Sequence, residues 1–158
     1  MSNVGILGLG AYLPSKKLTN FDLEKIVETT DEWIRSRTGI VERRIASASE
    51  QTSDLAVKAA LEAIKNSKIS PEKIELIIVA TVTPDHPYPA TADIVADMIG
   101  ATNAWGFDVQ AACSSFLSAL TMPTDRLGHI IFIFSTACWS NSQVGTSTND
   151  RHRISTMR

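Results

Sequence analysis

The run Ile74-Glu75-Leu76-Ile77-Ile78-Val79-Ala80 constrains this chain more than any other stretch. It has strand length, is apolar at every position but Glu75, and shows no alternation, so both of its faces must be covered. Such a strand belongs inside a parallel sheet, and parallel strands need crossovers long enough to hold a helix. The flanking sequence supplies them. Residues 52–67 carry a stripe of Ala56, Ala59, Ala60, Ala63 and Ile64 opposite Lys58, Glu62 and Lys65. Residues 91–99 place Ile94, Val95, Met98 and Ile99 on an inner side, with Gly100 as the stop. A further short strand is expected at 105–109. Strands alternating with helices predict an α/β fold, a largely parallel sheet clad by helices.

Residues 4–9 form a short apolar run ending at Gly8 and Gly10, and read as a buried strand with close backbone neighbours. Gly5, Gly8 and Gly10 lack G-x-G-x-x-G spacing, and Pro14 interrupts the helix that a dinucleotide loop would need. Asn20 is placed to cap a short helix over 21–27. Thr29 and Glu32 have the spacing of a capping box for a second helix, ending near Gly39. A polar, proline-containing loop at 81–89 carries His86 and Tyr88.

Composition removes several function classes. The 158 residues suffice for one domain with its own core, and 44% hydrophobic with 20% charged residues argues against disorder. A net charge of −2 gives no bulk reason to bind nucleic acid or an anionic membrane. Two cysteines are too few for a disulfide framework, and no basic-then-apolar signal segment opens the chain, so a cytoplasmic location is expected. No apolar run approaches the roughly 20 residues that span a bilayer.

The chemistry is concentrated in Asp108-Val109-Gln110-Ala111-Ala112-Cys113-Ser114-Ser115-Phe116-Leu117-Ser118-Ala119-Leu120. A strand runs into a turn of small residues, and a helical pattern begins at the cysteine. Unpaired N–H groups and the positive dipole end at such a position favour thiolate, the nucleophilic form. Ala111, Ala112, Ser114 and Ser115 leave room for a substrate arm and a backbone oxyanion pocket. On pattern alone a second reading stays open: Cys113 as a small hydrophobe packed between layers.

This run closely resembles the nucleophile motif of the β-ketoacyl-acyl-carrier-protein synthase III family, within the thiolase-like superfamily. Three other stretches agree with it in order: residues 4–13; Thr29-Thr30-Asp31-Glu32-Trp33-Ile34 with Arg37-Thr38-Gly39-Ile40 and Glu42-Arg43; and Ala80-Thr81 with the loop to Ala92. The resemblance covers about residues 4–121. It implies the first half of a layered thiolase-like α/β fold, and a fatty-acid chain-initiation enzyme. Cys113 would take an acyl group from acyl-coenzyme A and condense it with malonyl-acyl carrier protein, releasing carbon dioxide. No cofactor or metal is implied, and a homodimer is. Trp33 and Arg37 match positions that hold the adenine end of coenzyme A, where an indole face and a guanidinium suit a purine with phosphates. Taken without the family, they read as a helix-anchoring core residue and a solvated charge. Tyr88 matches the dimer loop that reaches toward the neighbour's acyl pocket.

After Thr121 the resemblance stops. Met122-Pro123-Thr124-Asp125 puts a proline where the nucleophile helix would run on. One strand is expected at 129–134, and residues 135–158 are rich in Ser, Thr, Asn and Arg without apolar periodicity. The expected organisation is a nucleophile-bearing half domain, 1–121, and a divergent tail, 122–158, produced by frameshift or truncation. The family's catalytic histidine and asparagine come from its second half. His129 and His152 lie in no such motif, Cys138 and Trp139 lack a partner pattern, and the basic run 151–158 reads as a disordered tail. The missing layer predicts an exposed apolar face of Phe116, Leu117 and Leu120 and a poorly stable chain. Three functions remain in play: a condensing enzyme of the synthase III type, an inactive or interaction-only remnant, and another thiolase-superfamily acyltransferase.

Overall fold

The computed structural model describes residues 5–122 and 128–134. In chain order the elements are β1 (Lys16–Thr19), α1 (Asn20–Glu24), α2 (Asp31–Thr38), β2 (Glu42–Ile45), α3 (Thr52–Ser67), β3 (Leu76–Ala80), α4 (Thr91–Ile99), β4 (Trp105–Val109), α5 (Ser115–Leu120) and β5 (Ile130–Phe134). Short 3₁₀ turns, Pro71–Lys73 and Ala112–Ser114, precede β3 and α5.

The centre is a parallel sheet in the order β4-β3-β5, with Ile77 opposite Gly106 on one side and Ile131 on the other. All of β3 is buried, as its unbroken apolar run requires. Period-two geometry divides the sheet residues between two clusters. Ile77, Val79, Ile131 and Ile133 face α3 and α4, meeting Ala56, Val57, Ala60, Val95 and Ile99. Leu76, Ile78, Phe107, Val109, Ile130 and Phe132 face α5, meeting Ala119 and Met122. Each fully buried β3 side chain contributes roughly 1.5–3 kcal/mol. Close packing explains the small residues: a Cβ at Gly106 would lie 2.7 Å from the Ala92 Cβ and 3.0 Å from the Ile77 carbonyl oxygen.

The α/β architecture matches the expectation from periodicity, with β4, α3 and α4 at the expected bounds. The expected strand at 74–80 begins at Leu76, because Ile74 closes the preceding 3₁₀ turn. The strand expected at 129–134 begins at Ile130 and pairs with β3, so it joins the same sheet as the residues before 121.

Three local expectations need correction. Residues 5–9 form no strand, and residue 4 lies outside the described residues. Instead the segment lies along α3: Asn66 Nδ2 donates to the Leu9 carbonyl (2.7 Å), and Ala11 N–H donates to Glu62 Oε2 (2.7 Å). The glycines there permit a close approach, since a Cβ at Gly8 would sit 2.6 Å from the Ala63 carbonyl oxygen. The cap of α1 is Thr19, whose Oγ1 accepts from Asp22 N–H, while Asn20 is inside the helix and fully buried. Thr30, not Thr29, caps α2, accepting from Trp33 N–H at 3.1 Å. The antiparallel pair β1–β2 was not anticipated; Lys17 and Glu42 bridge it at 3.1 Å. The residues beyond 134, including Cys138, Trp139, His152 and the basic run 151–158, lie outside the described residues.

Candidate active site

Adjacent strands β3 and β4 end together, where Thr81 N–H donates to the Val109 carbonyl (3.2 Å). The chain then turns sharply. Ala111 has φ −135° and ψ 33°, and Ala112 has φ +47°, a left-handed conformation that an alanine rarely adopts. Cys113 follows in the 3₁₀ turn, and α5 begins only at Ser115. The cysteine therefore sits ahead of the helix rather than on its first turn, because the positive φ at Ala112 keeps the backbone out of α geometry at that point.

Two serines close the turn. Ser115 is fully buried, and its Oγ accepts from Ala111 N–H at 2.7 Å. Ser114 Oγ and Ser114 N–H both donate to the Ala111 carbonyl, at 2.7 and 3.1 Å. The result is a braced loop with Cys113 at its exposed crest, its thiol free. Sequence reading took these serines as spacers; their bracing role is not visible from size alone. Asp108 was also missed as a support. Its carboxylate accepts from Thr91 N–H (2.8 Å) and Ala92 N–H (2.9 Å), capping α4 in place of Ala90. The signal was present as one acidic residue in an otherwise apolar strand.

The residues matched to the nucleotide end lie elsewhere. Trp33 and Arg37 are exposed and four apart on α2, hence on one helix face. Trp33 borders a shallow depression of about 250 Å³ with Glu28, Thr29 and Thr30, and Cys113 is not among its lining residues. Arg35 is engaged by Asp31 (2.9 Å), while Arg37 makes no ion pair among the described residues. Tyr88, 90% exposed, projects from the loop between β3 and α4. The structure thus joins Trp33 with Arg37, and leaves Cys113 and Tyr88 on separate segments. The face of α5 is open as expected, with Leu117 65% and Leu120 47% exposed. Among the described residues no three His, Cys, Asp or Glu side chains gather as a metal site requires, and no helix is long and apolar enough to cross a membrane.

No family model matches the chain. A β-ketoacyl-[acyl-carrier-protein] synthase III of Clostridioides difficile (strain 630) is 58% identical over 121 residues, which are 77% of this chain and 37% of that protein. Among solved structures, the 3-oxoacyl-[acyl-carrier-protein] synthase III of Aquifex aeolicus VF5 is 45% identical with a TM-score of 0.77, covering 82% of this chain and 44% of the other. The priming β-ketosynthase of the R1128 polyketide biosynthetic pathway is 37% identical with a TM-score of 0.72, covering 76% and 36%. The chain spans about a third of the length of the curated relatives it matches.

Proposed function

We infer the function from one premise: over the matched three quarters of its length, this chain belongs to the β-ketoacyl-acyl-carrier-protein synthase III family, whose first, thiolase-like half it supplies. On that premise Cys113 is the acyl acceptor. Its thiolate attacks the carbonyl carbon of an acyl-coenzyme A, the acyl–sulfur bond to coenzyme A breaks, and coenzyme A leaves as the thiolate, taking up a proton. In the following half-reaction malonyl-acyl carrier protein loses carbon dioxide, its α-carbon bonds to the acyl carbon, and Cys113 is released. The whole enzyme of this family is a carbon–carbon condensing acyltransferase of fatty-acid chain initiation, needing no cofactor, and a homodimer by the habit of its family. The part these residues carry is the acylation of Cys113; the histidine and asparagine of the condensation step belong to the family's second half, so this chain alone is expected to lack full activity.

The observation that carries this reading is the braced turn that holds an exposed Cys113 between β4 and α5. Small neighbours at Ala111 and Ala112 leave the sulfur open to a thioester, and a fixed backbone orients the attack. Trp33 and Arg37 suit the adenine and phosphates of the donor, and Tyr88 suits the acyl pocket of a neighbouring copy. The similarity to a priming β-ketosynthase supports the same acylation step with a polyketide starter as the second reading.

The test is acyl transfer to the whole chain from radiolabelled acetyl-coenzyme A. Label is expected on Cys113 and is lost in Cys113→Ala. An unlabelled but folded wild-type chain would reject the nucleophile assignment and leave an inactive or interaction-only remnant.

A further inference from the structure

Helix α2 is short and poorly buried, yet it carries both residues matched to the nucleotide. Ile34 is its one buried residue, and eight residues are too few for a helix to hold itself together in water. Its orientation is instead fixed by a buried amide. Asn20, with no exposed surface, donates from Nδ2 to Asp31 Oδ1 (2.8 Å) and to the Ile40 carbonyl (2.8 Å), while its Oδ1 accepts from Arg43 Nη1. Asp31 is the first residue of α2, and Ile40 follows the left-handed Gly39 that ends it. One side chain therefore ties both ends of α2 to α1 and, through Arg43, to β2. Asp31 is further held by its own N–H on Glu24 Oε1 (2.6 Å) and by Arg35. Its carboxyl stays below the ordinary carboxylate value, through the Asn20 amide first and then Arg35.

We propose that Asn20 is a positioning residue for the nucleotide end of coenzyme A, acting through α2 to aim Trp33 and Arg37; this rests on the role given to those two residues above. An indole that stacks and a guanidinium that pairs with phosphate need a fixed mutual pose against the ligand. Both move with α2, so loosening either end displaces them together.

Calorimetric titration of the whole chain tests this, with coenzyme A and with pantetheine, which lacks the nucleotide. Trp33→Ala is expected to weaken coenzyme A binding and spare pantetheine. Asn20→Ala should weaken coenzyme A roughly five- to tenfold, spare pantetheine, and add nothing once Trp33→Ala and Arg37→Ala are both in place, because its effect runs through those two side chains. A merely structural role would weaken both ligands and persist in the triple variant, and that result would overturn the proposal. So would wild-type affinity in Asn20→Ala. Asn20→Leu keeps the volume without the donated bonds, and takes the place of Asn20→Ala in these comparisons if the latter folds poorly. Equal binding of coenzyme A by wild type and Trp33→Ala would reject the nucleotide role itself, a failure distinct from that of Asn20 alone.

Discussion

Ala112 carries a cost that a glycine would not. With φ at +47° its Cβ crowds the following carbonyl, which for an L-residue amounts to about 1–2 kcal/mol. The residue before the proposed nucleophile is thus held in place by its surroundings, chiefly by Ser115 and Ser114 closing on Ala111. Urea unfolding should show Ala112→Gly as stable as wild type or more so, and Ala112→Val destabilised by about 1–2 kcal/mol. Destabilisation of the glycine variant beyond that of the valine variant would mean that the left-handed conformation is not what limits this position. At this scale the sequence was legible only in part. Cys113 stood out by its small neighbours and its place after a strand, whereas the φ of Ala112 depends on side-chain bonds that no periodicity encodes.

Among the elements, α4 shows how a helix can be capped from another part of the fold. Ala90 has no polar side chain to offer its first turn, and Asp108 reaches across from β4 to take two N–H groups. Removing that carboxylate in Asp108→Ala should cost about 1–2 kcal/mol by urea unfolding, and Asp108→Asn less, since one acceptor remains. No loss in Asp108→Ala would show that water replaces the cap at no cost. Elements with strong apolar periodicity were legible: β3 by its unbroken run, α3 and α4 by their stripes. The pair β1–β2 was not, because Lys16-Lys17-Leu18-Thr19 and Glu42-Arg43-Arg44-Ile45 have too few apolar positions to alternate. Pairing of charges across a long sequence gap, as between Lys17 and Glu42, leaves no local signal. The opening run 5–9 was misread for the opposite reason. Its apolar character fits a strand, yet a strand also needs an unoccupied edge beside it, and α3 is what it meets.

At the scale of the whole molecule, the described residues cover the sheet unevenly. Two helices of sixteen and nine residues clad one face, and a six-residue helix clads the other. The outer side of that short helix presents Leu117 and Leu120 to solvent, an apolar surface of the kind that drives association. Leu117→Ser combined with Leu120→Ser should reduce self-association in sedimentation velocity while changing unfolding free energy by less than about 0.5 kcal/mol. Unaltered association would locate the sticky surface elsewhere.

The way residues 8–11 are fastened has a consequence for how the molecule comes apart. Glu62 and Asn66 hook that ribbon onto α3 one contact at a time, with no ladder to make the contacts fail together. Release of the ribbon leaves every bond of the central sheet in place, so its amides exchange with solvent on their own clock, and the cladding can be shed while the beam beneath it stands.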